Sequence, residues 1–182
     1  MPIDVAAEIV FNRALSSDYN VLGLSAPAIA GAVSPGQFVM VKVGTGLDPL
    51  LRRPFSVFEV LRSGDGTPSG ISLLSKRIGP STSLIYNARR GEIAACLGPL
   101  GRPFSMVEPP AEAWMVAGGV GLAPFATLAE ALRARRVKTT LFYGARRGDE
   151  LFYLDFFRRL GVELVLTTED GSACRITVAV RS

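Results

Sequence analysis

Val116-Ala117-Gly118-Gly119-Val120-Gly121-Leu122-Ala123-Pro124 is an apolar run that breaks into glycines and reopens with helical spacing. Residues 113–117 have the composition of a strand. Leu122, Phe125, Leu128, Ala129 and Leu132 then recur at intervals of three and four, which predicts a helix over 122–135. A glycine turn between a strand and a helix lets the backbone approach a pyrophosphate, while the helix start offers free N–H groups. Pro124 stands where a strict G-x-G-x-x-G would end, and such a turn taken alone is as often structural as phosphate-binding. Downstream, 139–143 reads as a second strand, 149–160 as a second helix and 162–167 as a third strand. Strand and helix alternating at this pitch predict a parallel, doubly wound sheet.

Upstream the texture changes at Pro109-Pro110, which predicts two domains, 1–108 and 109–182. Short apolar runs at 4–15, 20–25, 37–43, 55–61, 70–75 and 92–97 are separated by turn clusters such as Ser34-Pro35-Gly36 and Ser63-Gly64-Asp65-Gly66. They predict a small antiparallel β-barrel with no open edge. The one helix expected in this half covers 81–88, after Pro80.

Composition removes several kinds of chemistry. The 182 residues contain no His, which excludes a His-dependent triad and a His-ligated zinc site. Two cysteines, Cys96 and Cys174, cannot make a four-thiolate zinc or iron–sulfur site, nor a disulfide framework. The chemistry of this chain is therefore expected to come from an organic cofactor. The net charge is +4, and Arg supplies the bulk of the cations as scattered pairs such as Arg52-Arg53 and Arg146-Arg147. That pattern lacks the clustered basic face with interleaved aromatics that nucleic acid requires. Residues 113–129 carry no charge but contain Gly118, Gly119, Gly121 and Pro124, so a membrane span is not expected. The N-terminus has Asp4 and Glu8 and no long apolar stretch, unlike a signal peptide. A soluble, cytoplasmic protein is expected.

Three further segments hold groups suited to a phosphate cofactor. In Leu51-Arg52-Arg53-Pro54-Phe55-Ser56, an Arg can pair with phosphate, an aromatic can lie beside a flat ring and a hydroxyl can bond a ring nitrogen. The plain alternative is a strand that begins with Pro. Leu74-Ser75-Lys76-Arg77-Ile78-Gly79-Pro80-Ser81-Thr82 leads glycine and hydroxyls into a helix start, which is usually only a cap. Leu97-Gly98-Pro99-Leu100-Gly101 is by itself a turn.

The order Arg-Pro-Phe-Ser, Gly-x-Ser-Thr, Gly-Pro-Leu-Gly and Gly-Gly-Val-Gly-Leu-Ala-Pro resembles the ferredoxin–NADP reductase superfamily. There a flavin-binding barrel precedes a nicotinamide-binding α/β domain. The wording around Arg53 and Gly98, with Tyr143-Gly144-Ala145-Arg146 and Thr168-Glu169-Asp170-Gly171-Ser172, looks most like the electron-transfer subunits of bacterial NAD-dependent dihydroorotate dehydrogenases. The resemblance runs to about Ser172. It implies FAD and NAD(H) as cofactors and an FMN-containing catalytic subunit of pyrimidine biosynthesis as partner, with no nucleic acid and no membrane. It gives Arg53 and its neighbour Pro54 to the flavin pyrophosphate region, Phe55 to the flavin ring, and Ser56, the one catalytic candidate, to flavin N5. Phe55 stands where many relatives have Tyr. Leu74, Ser75 and Lys76 would border the flavin, and Gly79, Ser81 and Thr82 would place donors on the FAD phosphates. Gly118, Gly119 and Gly121 would form the floor under NAD(H), and Arg146 would meet the adenosine ribose or a phosphate, or act only as a solvated loop charge. The family continues past Ser172 into more strands and a cysteine cluster that ligates a [2Fe–2S] centre, whereas here Ala173-Cys174-Arg175 leads to Ser182. A truncated or frame-shifted product carrying the N-terminal half of the nicotinamide domain is the expectation. Two alternatives stand beside it: a reductase serving an oxygenase, hydrogenase or ferredoxin, and a non-catalytic flavin-binding module.

Overall fold

The computed structural model describes residues 1–44, 46 and 49–177; the tail expected to leave the family pattern lies, from 178 onward, outside the described residues. The chain divides into two compact units, Met1–Phe104 and Ser105–Ser182.

The first unit holds seven strands: β1 (Ile3–Ala14), β2 (Tyr19–Ser25), β3 (Phe38–Val43), β4 (Arg53–Ser56), β5 (Glu59–Arg62), β6 (Pro68–Lys76) and β7 (Ile93–Leu100). They form one sheet in the order β4-β3-β7-β1-β2-β6-β5, with every neighbouring pair antiparallel. β4 and β5 end the order on opposite sides, yet only Val57 and Phe58 separate them in sequence. Three residue steps span roughly 10 Å at most, so the sheet must curl until its two ends approach. The result is the curled antiparallel sheet expected, as a half-barrel in which β4 and β5 remain edges. β4 and β5 are each four residues long, and Pro54 has no N–H to give to a ladder, so their outer sides stay unpaired. The expected strand at 55–61 is split for a related reason: Val57 and Phe58 are both buried at the corner between β4 and β5.

The inner face packs Ala7 and Ile9 of β1, Leu22 and Leu24 of β2, Val39 and Val41 of β3, Ile71 and Leu73 of β6, and Ala94 and Cys96 of β7. These are alternate positions along each strand, as a one-sided core requires. β2 is central and buried at every residue but Ser25. Its Gly23 is required by a neighbour, because a Cβ there would lie 2.3 Å from the Phe11 ring, beside the irregularity between Ile9 and Phe11. Two short helices, α1 (Pro27–Ala32) and α2 (Pro80–Asn87), add Ile29, Ala30 and Ile85 to the core. α1 was not expected. It has no side-chain cap, and what holds it is Pro27 in the first turn and the burial of Ile29 and Ala30.

In the second unit β8 (Ala113–Gly118), β9 (Thr139–Ala145) and β10 (Glu163–Thr168) are parallel, in the order β11-β10-β9-β8, and β11 (Cys174–Thr177) joins β10 antiparallel. The glycine turn becomes a 3₁₀ turn at Gly119–Leu122, and α3 (Phe125–Ala134) starts only after Pro124, later than the spacing predicts. α3 buries Ala126, Leu128, Ala129 and Leu132. The helix expected over 149–160 shortens to α4 (Leu154–Arg159), because Gly148–Glu150 forms a 3₁₀ turn and Tyr153 adopts φ 60°. β8 buries Met115 and Ala117 on one face, while Trp114 and Val116 on the other are 73% and 74% exposed. Among the described residues no helix is long and apolar enough to cross a membrane.

Candidate functional site

The first unit brings three of the sequence-predicted segments together. Arg53 begins β4, an edge strand paired only with β3 through Val41↔Arg53, Met40↔Pro54, Val39↔Phe55 and Phe38↔Ser56. β4 also runs close to β6, whose last residues are Leu74, Ser75 and Lys76. From the β6–α2 connection comes the third group: Arg53 Nε–H donates to Ser81 Oγ at 3.3 Å, joining β4 to the first turn of α2. Arg53 and Pro54 are exposed, and Phe55 and Ser56 are half-buried, with Phe55 packed against the core. Strand alternation sets Arg53 and Phe55 on one face of β4, and Pro54 and Ser56 on the other.

The turn into α2 is shaped from within. Thr82 Oγ1 accepts from the backbone N–H groups of Ile78 (2.9 Å) and Gly79 (3.0 Å) and lies 3.1 Å from the Gly79 carbonyl. Gly79 N–H and the Thr82 hydroxyl therefore hold the loop together in this structure. Helix geometry leaves the first-turn N–H groups of Ser81 and Thr82 without an intrahelical acceptor, and Pro80 has none to offer. Those two N–H groups, Ser81 Oγ and the Arg53 guanidinium form a cationic, donor-rich corner, the right composition for a phosphate. Beside it lies a shallow groove lined by Val41, Val43, Leu51, Ser81, Leu84 and Ile85. Leu74 and Ser75 are buried, and Ser75 Oγ has no hydrogen-bond partner. Lys76 lies over the Tyr19 ring, with Nζ 4.7 Å from its centroid.

Three residues unforeseen in the sequence tie α2 down: Asn12 and Asn20 from the β1–β2 hairpin, and Tyr86 from α2 itself. Asn12 Nδ2 donates to the carbonyls of Ile85 (2.9 Å), Tyr86 (3.0 Å) and Ala88 (2.8 Å) at the end of the helix, where the Ile85 carbonyl also accepts from the Ala88 N–H at 3.3 Å. Asn20 Nδ2 donates to Asn12 Oδ1 at 2.7 Å, and Tyr86 OH donates to the Ser16 carbonyl at 2.7 Å. A signal was present in the sequence: asparagine is depleted in strands, and both Asn12 and Asn20 interrupt apolar runs.

In the second unit the glycine turn and Arg146 share the carboxyl edge of the parallel sheet. Gly118 pairs with Gly144, two residues before Arg146, and Ala145 pairs with Thr168 of β10. Gly118 and Gly121 face open space where a Cβ would stand, and Gly119 takes φ +52°, so backbone there is free to be approached closely. Arg146 is exposed, whereas Arg147 is paired with Asp149 at 3.0 Å. Beyond β10 the Asp170 carboxylate accepts from Ser172 Oγ (2.6 Å) and Ser172 N–H (3.0 Å), bonds that hold it below its ordinary value. Ser172 Oγ in turn accepts from Gly148 N–H at 2.8 Å, tying the two loops at this edge. Open α/β sheets bind ligands in the crevice at this edge.

Residues 115–169 match the family model described as an oxidoreductase NAD-binding domain. Among curated proteins, the electron transfer subunit of dihydroorotate dehydrogenase B (NAD(+)) from Desulforamulus reducens is 36% identical over 81% of this chain and 55% of its own length. Those from Fusobacterium nucleatum and Geobacillus kaustophilus are each 34% identical, over 76% and 88% of this chain. The chain is a relative of these electron transfer subunits. It spans between 52% and 63% of the length of these three. Among solved structures, an NADH-dependent reduced ferredoxin–NADP oxidoreductase aligns with a TM-score of 0.79 at 28% identity, over 94% of this chain and 59% of that one. A ferredoxin–NADP⁺ reductase from Neisseria gonorrhoeae with bound FAD and NADP aligns with a TM-score of 0.75 at 20% identity, over 98% and 73% of the two chains. The fold is that of the ferredoxin reductase-like flavoproteins, with an NAD-binding domain after the curled sheet. The Arg53–Ser81 corner fits a flavin dinucleotide's phosphates in its donor set. A [2Fe–2S] centre finds no such fit: Cys96 is buried in β7, and no group of three His, Cys, Asp or Glu able to hold a metal occurs among the described residues.

Proposed function

We propose that this chain carries the flavin- and nicotinamide-binding part of a dihydroorotate dehydrogenase electron transfer subunit, with FAD in the first unit and NAD(H) in the second. The observation that carries the reading is the contact between Arg53 and Ser81. It brings a cation and a helix start to one corner, within a chain whose curated relatives bear that name. In this reading Arg53, Ser81 and the first-turn N–H groups of α2 grip the dinucleotide phosphates. Phe55 flanks the flavin ring, and Ser56 is the hydroxyl nearest its N5. Leu74, Ser75 and Lys76 border the flavin from β6, where the unpartnered Ser75 Oγ has a hydrogen bond still to give. Gly118, Gly119 and Gly121 let the nicotinamide cofactor's pyrophosphate approach the backbone, with Arg146 beside the adenosine end. FAD, when bound, supplies the hydride and single-electron chemistry. The residues themselves bind, orient and exclude water, and no side chain has to move a proton. The partner is the FMN-containing catalytic subunit, in pyrimidine biosynthesis and in the cytoplasm.

Two measurements test this. Purified protein is expected to show a flavin absorption spectrum or to acquire one on addition of FAD. The bound flavin is then expected to bleach on anaerobic addition of NADH. A chain that takes up no FAD refutes the reading. A chain that takes up FAD but is reduced only through a ferredoxin identifies a different reductase branch.

A further inference from the structure

We infer that the β1–β2 hairpin is the positioning platform for the phosphate-gripping corner, acting through Asn12, Asn20 and Tyr86, and that these residues set how tightly the phosphate end of the dinucleotide is held. This rests on the flavin reading above. The corner consists of the first turn of α2, and a helix of only eight residues cannot fix its own direction. Something outside it must.

The hairpin supplies grips on both sides of that turn. At the far end of α2, the single Asn12 amide collects three carbonyls, those of Ile85, Tyr86 and Ala88, within 2.8–3.0 Å. Two hydrogens serve three acceptors, so at least one is shared, and the acceptors must converge on one point. Asn20 fixes which way that amide faces, because its own Nδ2 donates to Asn12 Oδ1 at 2.7 Å. Asn20 is 1% exposed, so a flipped Asn12 would leave two amide donors facing one another without water to separate them. Tyr86 OH reaches the carbonyl of Ser16 in the turn between β1 and β2. Before α2, Arg77 N–H donates to the carbonyl of Asp18 in the same turn at 2.7 Å, and its guanidinium lies over the Tyr86 ring, 4.8 Å from the centroid.

The platform touches the backbone of α2 and its approach, while Arg53 and Ser81 lie at the opposite end of the helix. Releasing the grips lets α2 tilt or slide. That alters where the first-turn N–H groups and Ser81 Oγ point, while Phe55 and Ser56 stay held by their pairing with β3. The consequence is selective: the phosphates lose affinity and the ring does not. A network that merely stabilised the domain would weaken both alike.

The test compares the full chain with Asn12→Leu, which keeps the size and removes the donors, and with Tyr86→Phe, which removes one hydroxyl and should not threaten folding. Dissociation constants are measured by flavin fluorescence for FAD and for riboflavin, which shares the ring but has no phosphate. Asn12→Leu is expected to weaken FAD about tenfold and Tyr86→Phe about threefold, with riboflavin affinity unchanged in both. An equal loss for FAD and riboflavin, or no loss for FAD in Tyr86→Phe, overturns the positioning role. If Asn12→Leu does not fold, Tyr86→Phe alone decides. A wild-type chain that binds FAD no more tightly than riboflavin refutes the underlying phosphate reading itself, whatever the variants do.

Discussion

Replacing Arg53 by Ala separates binding from folding more cleanly than any other substitution at this site. The side chain is exposed, starts an edge strand, and makes one weak contact, 3.3 Å to Ser81 Oγ. Exposed positions away from buried networks usually change stability by no more than about 0.5 kcal/mol, so the melting temperature is expected to stay within a degree or two. A phosphate held by a guanidinium is a charge-assisted hydrogen bond, worth about 1.5–3 kcal/mol, which corresponds to roughly a 10- to 150-fold loss of FAD affinity. Arg53→Lys keeps the charge and loses the fork, so it is expected to fall between the two. The assay is equilibrium titration of apoprotein with FAD, followed by quenching of flavin fluorescence, repeated at low and high salt. The ionic part of the wild-type advantage should shrink as salt screens it. Arg53→Ala protein that folds and binds FAD as tightly as the wild type would refute the assignment of the corner to phosphate.

Other expectations follow from residues away from that corner. Burial pushes the Cys96 thiol from 9.0 up to about 11, with Arg52 lowering it slightly and Asp4 raising it. Its folded-state value is raised, so its contribution to stability is complete below pH 9 and is lost as pH rises toward 11; that loss is roughly 2–3 kcal/mol. Urea unfolding of wild type and Cys96→Ala across this range should show the difference between them shrinking, and thiol reagents at pH 8 should not label Cys96 in the folded chain. Gly23→Ala is expected to destabilise the first unit by about 1–3 kcal/mol, because its Cβ would overlap the Phe11 ring, and Phe11→Leu should relieve most of that in thermal melts. Anaerobic reconstitution of the 182-residue chain is expected to give no stoichiometric iron or labile sulfide, since it offers two cysteines and no histidine.

What the sequence made legible tracks how local the physics is. The parallel strands β8, β9 and β10 fall close to the apolar runs because each carries its signal in its own residues, even β8, which buries only one face. The boundaries that moved did so at special backbone: Pro124 delays α3, and the left-handed Tyr153 cuts α4 short. α1 stayed invisible because its sequence, Ala-Pro-Ala-Ile-Ala-Gly-Ala around residue 29, has no cap or charge pattern, and its helicity comes from burying Ile29. At the site, Arg53 and Ser81 were both legible singly, as an Arg before Pro and a hydroxyl after Pro. Their meeting was not, since 28 residues and the curl of the sheet separate them.

The same distinction explains why the asparagines escaped notice. A polar residue in a strand reads as a solvent-facing position or as a defect, and which of the two it is depends on what lies across the sheet. Asn12 and Asn20 lie two pairs apart in the β1–β2 register, Asn12↔Leu22 and Ala14↔Asn20, so their side chains share one face. Only when α2 closes that end of the half-barrel does this face receive the three carbonyls that give the pair its purpose. Asn20 Oδ1 is left without a partner; the end of the helix supplies the acceptors for the Asn12 amide donors, and under the proposal above the asparagines in turn hold the helix's direction. That mutual requirement ties a seventy-residue loop of chain together. Under the proposal above, it makes the geometry of the Arg53–Ser81 corner a property of the hairpin as much as of the glycine and hydroxyls that compose it.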